Sequence, residues 1–343
     1  MSRLHRFGRS VCTGALMLGL TACSTTMLPD ANLPGLATVA GQVDGTRLMS
    51  TLTDVVESHR LDTPLDCEPL KSKGLILPEH ACFLSKNRTG ALLEERLKAI
   101  SGLQVRRQTI DDELYAPSNI IADLPGDTHP EEIVLIAAHY DAFYEGADDN
   151  SSGVAALLEL AQVLSQYRFE RTLRFVGFDL EELSFVGSDR YIKAWSSNET
   201  LTSAVVLDCV AYFSKRPGSQ QSMPGLPSPE AGDFLAVISN DPSSHRAAEV
   251  HALNEALKLT KLVTIIAPAD GLKPTMNPLL QSDHTMFWSA GREALFMTDT
   301  AFFRNQNYHQ PTDTLDTLEH PELFQQAVQL NAATLGYWAG GPL

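Results

Sequence analysis

The run from His139 to Gly153 reads His-Tyr-Asp-Ala-Phe-Tyr-Glu-Gly-Ala-Asp-Asp-Asn-Ser-Ser-Gly, and its two flanks constrain the fold more than any other part of the chain. Ahead of it, residues 133–138 (Ile-Val-Leu-Ile-Ala-Ala) carry no polar side chain. A strand that is apolar at every position is buried on both faces, as in a parallel sheet covered by helices. Behind it, residues 154–164 are rich in Ala and Leu and predict a helix. The polar run therefore falls where a strand ends and a helix begins, which is where open α/β sheets build their sites. A His-x-Asp pair with further carboxylates close by is a metal-ligand set.

The rest of the chain keeps this rhythm. Apolar residues at helical spacing predict helices at 48–60 (Leu48, Leu52, Val55, Val56) and 90–100 (Leu92, Leu93, Leu97, Ile100). Strands are expected at 103–110, 119–124, 172–179, 203–208, 234–239, 262–267 and 294–298. Helices are expected between them at 153–166, 185–195, 243–259 and 282–290, and a last one at 321–338. Alternating strands and helices define the α/β class. Residues 213–232 are rich in Pro, Gly, Ser and Gln and predict a long loop, of a length that usually serves function.

At the N-terminus, Arg3, Arg6 and Arg9 precede a short apolar stretch at 11–20, too short to span a bilayer. Leu20-Thr21-Ala22-Cys23 resembles the lipobox of bacterial lipoproteins. That resemblance implies a signal peptide at 1–22, a lipid on Cys23 and anchoring at the cell envelope, with Ser24 favouring the outer membrane. Residues 23–45 contain Pro29, Pro34, Gly35, Gly41 and Gly45 and are expected to form a tether. A single domain, 46–343, is expected to follow, with a helical appendage at 46–100. An exported chain tolerates disulfides, and Cys67 and Cys82 share one irregular segment and are the expected pair. Cys209 sits in an apolar strand and reads as a buried thiol. The formal net charge of −16 argues against nucleic acid as a partner.

Acidic residues and histidines recur after the later strands: Glu181-Glu182, Asp208, and Tyr308-His309. Such residues at neighbouring strand ends converge on one point, and a His, Asp and Glu set suits zinc or a similar divalent ion in a catalytic site. The ordered motifs His139-Tyr-Asp141, Gly146-Ala-Asp-Asp149-Asn, Glu181-Glu182, Leu207-Asp208, Ser282-Asp-His284 and Tyr308-His309-Gln-Pro-Thr-Asp313-Thr resemble the zinc exopeptidases of clan MH. Within that clan they are most similar to the bacterial leucyl aminopeptidase family of di-zinc enzymes. The resemblance covers roughly residues 90 to 340.

It implies a three-layer αβα fold around a mixed, mostly parallel sheet of about eight strands. It implies two zinc ions: His139 and Asp208 ligate one, Glu182 and His309 the other, and Asp149 bridges both. Asp141 would orient His139, Glu181 would be the general base for a zinc-activated water, and Tyr308 would donate a hydrogen bond to the developing oxyanion. Asp148 reads as a helix N-terminal residue rather than a ligand. Asp283 and His284 have no ligand role in the resemblance; they either support the ligands or cap a helix. The activity implied is removal of N-terminal residues from peptides. Two other readings stay open: a glutaminyl cyclase on the same fold, and a non-catalytic receptor or scaffold domain. Leu183-Ser184-Phe185-Val186-Gly187-Ser188 directly after the Glu-Glu pair fits the peptidases better than the cyclases, which carry a longer insert there.

Overall fold

A computed structural model of the chain describes residues 28–110, 115–223, 226, 228–267 and 274–343. The expected signal peptide and Cys23 lie outside the described residues. In chain order the strands are β1 (Leu84–Ser85), β2 (Gln104–Thr109), β3 (Ser118–Leu124), β4 (His129–His139), β5 (Ala142–Phe143), β6 (Arg171–Phe178), β7 (Thr200–Leu207), β8 (Leu235–Ser239), β9 (Leu262–Ile266) and β10 (Leu295–Thr298). The α-helices are α1 (Leu33–Gly41), α2 (Gly45–Arg60), α3 (Glu68–Ser72), α4 (Asn87–Ala99), α5 (Ser151–Leu164), α6 (Val186–Lys193), α7 (Ser244–Leu257), α8 (His284–Ser289) and α9 (Pro321–Trp338).

Eight strands form one sheet in the order β2-β3-β6-β4-β7-β10-β8-β9. The centre is parallel: β4 runs between β6 and β7 with Ile136 opposite Phe175 and Val205, and β10 continues parallel to β7. Antiparallel pairs join β2 to β3, β3 to β6 and β10 to β8. The expected class, layering and strand number are those observed.

The apolar run of β4 explains the layering. Val134, Ile136 and Ala138 enter a core with α2, α4, α5 and α9, while Ile133, Leu135 and Ala137 enter a second core with Tyr191 of α6 and Phe287 of α8. Side chains alternate across a strand, so both alternate sets must be apolar when both faces are covered. Each fully buried large side chain contributes about 1.5–3 kcal/mol. Next along the chain, α5 is buried almost all round between the sheet, α2 and α9. Its buried Glu159 is paired by Arg47 of α2 at 2.6 Å.

Two N-terminal expectations change. Part of the expected tether is α1: Asn32 caps it by accepting from the Gly35 amide, Pro34 stands in its first turn, and Leu36, Val39 and Ala40 are buried. Leu36 and Ala40 pack with Ala333 of α9, so the ordered domain begins before residue 46. The Pro and Gly residues that suggested a flexible arm are the start and end signals of a short helix. The segment 61–89, expected to be irregular, contains α3 and the turn Ala81–Phe83, and Cys67 and Cys82 form the expected disulfide. Past that disulfide, β1 pairs antiparallel with β5, Leu84 opposite Phe143, which brings the appendage to the ends of the central strands. Among the described residues no helix is long and apolar enough to cross a membrane.

Candidate metal centre

The parallel strands β6, β4, β7 and β10 point the same way, so the residues that follow them meet at one sheet edge. His139 ends β4, Glu181 and Glu182 follow β6, Asp208 follows β7, and His309 lies in the loop after β10. Asp149 precedes Asn150, the N-cap of α5, and the peptide bond between them is cis. Leu180 and Cys209, the residues beside Glu181 and Asp208, have left-handed backbone (φ 57° and 52°) and turn the chain sharply at the strand ends.

Asp141 holds two of these segments together. Its carboxylate accepts from the backbone amides of Glu181 at 3.1 Å and Glu182 at 3.2 Å. The His139 ring is oriented by the Asp141 backbone carbonyl, 3.0 Å from Nδ1, with the carboxylate 3.5 Å away. A proton on Nδ1 leaves the Nε2 lone pair free to bind an ion.

That nitrogen faces Asp149 Oδ1 at 3.4 Å and Asp208 Oδ2 at 3.5 Å. Across the site, His309 Nε2 faces Asp149 Oδ2 at 3.0 Å and Glu182 Oε2 at 3.2 Å. The two oxygens of Asp149 thus address different histidines. Potential ligand atoms of His139, Glu181 and Asp208 lie within 4.8 Å of one another, as do those of Asp149, Glu182 and His309. His139 Nε2, His309 Nε2, Asp149 Oδ2 and Glu182 Oε1 are buried without a hydrogen-bond partner. Buried polar atoms in proteins are mostly paired, so four orphans gathered on two imidazoles and two carboxylates fit divalent ions. The structure therefore brings together all five expected ligands and Glu181.

The electrostatics agree with that fit. Burial pushes Glu181 well above the usual carboxylate range, with Glu182 and Asp208 adding to it against the pull of His139. Burial, then Asp149, pushes Glu182 up to about 8. Burial opposes charge on His309, but Asp149 and Glu182 outweigh it and raise the ring to about 10. Acids at this density repel one another and attract a cation.

The remaining predicted residues sort by their partners. Asp148 turns away from the centre: its Oδ1 accepts from the amides of Ala211 at 3.0 Å and Tyr212 at 3.1 Å. Tyr308 stacks on His309 at 3.8 Å, and burial raises its phenol so that it keeps its proton. Cys209 is buried and donates from Sγ to Asp208 Oδ1 at 3.3 Å. His284 is a core residue: it stacks on Phe296 at 4.5 Å, and Nε2 donates to the Leu279 carbonyl at 2.9 Å. Asp283 is fully buried, makes no cap to α8, and burial pushes it up to about 7.

Residues that the sequence did not single out complete the surroundings. Asp299 accepts from the amides of Tyr212 at 2.7 Å and Ala301 at 2.8 Å, and burial and Asp148 raise it well above its ordinary value. Phe143 presses edge-on against the His309 ring at 4.8 Å. His59 of α2 bonds Ser85 at 2.8 Å and ties the appendage to β1. Beside Asp208 and Tyr308 opens a cavity of about 70 Å³ lined by Met223, Leu226, Ile238, Ile265, Phe296 and Phe302. Its walls draw on the loop 213–232.

A strand-edge cluster of two histidines and four carboxylates on an αβα sandwich is a donor set suited to divalent metal. The family model for peptidase family M28 matches residues 119–335, and the chain belongs to that family. An uncharacterized protein of Escherichia coli, YfbL, is 31% identical over 256 residues, 70% of this chain and 76% of that protein. The zinc aminopeptidase BSAP of Bacillus subtilis is 26% identical over 63% of this chain and 49% of its own, with a TM-score of 0.50. The fold is also that of the Legionella pneumophila aminopeptidase LapA (15% identity, 91% of this chain, 76% of that one, TM-score 0.65). The Porphyromonas gingivalis glutaminyl cyclase shares it too (17% identity, 86% and 98% coverage, TM-score 0.57).

Proposed function

We propose that this chain is a two-zinc aminopeptidase that prefers peptides beginning with an apolar residue. One observation carries the reading: Asp149 presents one oxygen to His139 and the other to His309. His139 and Asp208 would hold one ion and Glu182 and His309 the other, with Asp149 available to both. Zinc supplies Lewis acidity, polarising a carbonyl and making water a stronger acid. Glu181, raised by burial, takes a proton from water and delivers it to the departing amine. Its backbone is fixed by Asp141, so the carboxyl does not drift during the transfer. Tyr308 retains its proton and donates to the carbonyl oxygen as charge builds there. The apolar cavity beside Asp208 receives the N-terminal side chain and excludes water from it. Anchoring of the domain at the cell envelope through a lipid on Cys23 is part of the same proposal. Loss of radiolabelled fatty acid from Cys23→Ser tests that part.

A panel of aminoacyl-anilides measures the activity. Leu- and Phe-anilides are expected to be hydrolysed, hydrolysis to stop on chelation, and zinc to restore it. Full activity in a metal-free preparation sinks the proposal. So does ammonia release from a Gln-initiated peptide without hydrolysis, which is the outcome of the cyclase reading.

A further inference from the structure

Asp313 is the motif residue that the proposed chemistry leaves without a task. It is 2% exposed, four positions after His309. Both carboxylate oxygens accept from the Asp148 amide at 3.2 Å, and Oδ2 also accepts from the Asp149 amide at 3.1 Å. Its backbone carbonyl accepts from the Ala147 amide at 3.1 Å. One residue thus clasps three consecutive amides of the segment that ends in Asp149. The same loop reaches that segment again through Asn305, whose side-chain amide donates to Asp148 Oδ2 at 3.1 Å. His309 lies between these anchors, on left-handed backbone (φ 59°).

Ligands on two separate loops keep a fixed spacing only if the loops are tied. Tyr308 and Phe143 contact the His309 ring and set its tilt. Such contacts act on the ring and leave open its distance from the Asp149 loop. The amide clasp closes it, and its chemistry is specific. A carboxylate offers only acceptors to these N–H groups, whereas an Asn amide would turn an NH2 toward one of them.

We propose that Asp313 is a positioning residue that fixes the span between Asp149 and His309 and so sets the affinity of that side of the centre for a divalent ion. The inference rests on the two-ion reading above. Zinc titration of the full chain against a chromophoric chelator tests it without reference to turnover. Wild type is expected to take up two ions. Asp313→Asn is expected to lose about tenfold or more in one affinity and less than about threefold in the other. Leu253→Ala, a core change in α7 remote from the centre, lowers stability and is expected to leave both affinities unchanged. If Asp313→Asn binds like wild type, or Leu253→Ala loses as much, the assignment falls. If Asp313→Asn does not fold, Asp313→Glu keeps the charge and moves it by one methylene. That variant is expected to show the same selective loss, and two unchanged affinities would overturn the role. Uptake of a single ion by wild type would defeat the two-ion reading. Asp313 is then judged on that ion, and its role falls unless Asp313→Asn weakens it more than Leu253→Ala does.

Discussion

Asp148 and Asp149 are neighbours in sequence and both buried, at 0% and 4% exposure, yet they belong to different layers. Asp149 stands with Glu182 and two imidazole nitrogens in a layer where buried polar atoms lack hydrogen-bond partners. Asp148 stands with Asp299 and Asp313 in a layer behind it, where carboxylates receive backbone amides. Residue type and burial are the same, and the supply of donors differs. A carboxylate filled by N–H groups builds the frame, whereas one left empty is available to an ion or a substrate.

Substitutions in each layer can sharpen or break that contrast. The largest effect is expected for Glu181→Gln, with kcat on Leu-anilide falling about a hundred- to ten-thousand-fold while the fold and zinc content are kept. A loss below tenfold would put Glu181 in the frame instead. Asp299→Ala removes the acceptor of the Ala301 amide and one of the two acceptors of the Tyr212 amide, and is expected to cost about 1–3 kcal/mol in denaturant unfolding. An unchanged midpoint would remove the distinction between the layers.

The histidines carry a weaker version of the same contrast. His309 is raised between acids, whereas burial lowers His284 to about 3 from 6.5. As pH falls below 6.5, the unfolded chain takes up a proton that the folded ring refuses. His284 therefore leaves stability intact above 6.5 and reduces it by about 1.4 kcal/mol per pH unit below, until about 3. In His284→Phe the unfolding midpoint is expected to lose that part of its acid slope. Smallest is Asp54→Asn, at a carboxylate that faces water and pairs with Arg96 at 2.5 Å, both 45% exposed. It is expected to change stability by no more than about 1 kcal/mol and leave kinetics alone.

The empty layer was legible in the sequence and the filled layer was not. His139, Glu181, Glu182 and Asp208 follow apolar strands, where a polar cluster stands out because nothing local needs it. Asp299 follows a strand too, but its partners at Tyr212 and Ala301 are amides, and amides leave no mark in a sequence. The same reason hid how Asp141 works: its backbone carbonyl meets the imidazole and its carboxylate meets the two glutamates. In the fold, α4 and α9 were readable from apolar spacing. The short helix α1 was not, because its cap and Pro34 lie among glycines that also suit a linker.

His139 and His309 are separated by 170 positions (309 − 139), and Asp149, Glu182 and Asp208 lie between them in sequence. No short peptide from this chain contains the set, so the donors assemble only once β4, β6, β7 and β10 lie side by side. An ion that binds the assembled donors and not the unfolded chain adds its binding free energy to the folding equilibrium. Occupancy of the centre is then a reporter on the whole sheet: a lesion that lowers the population of the assembled strands lowers the apparent affinity for the ion.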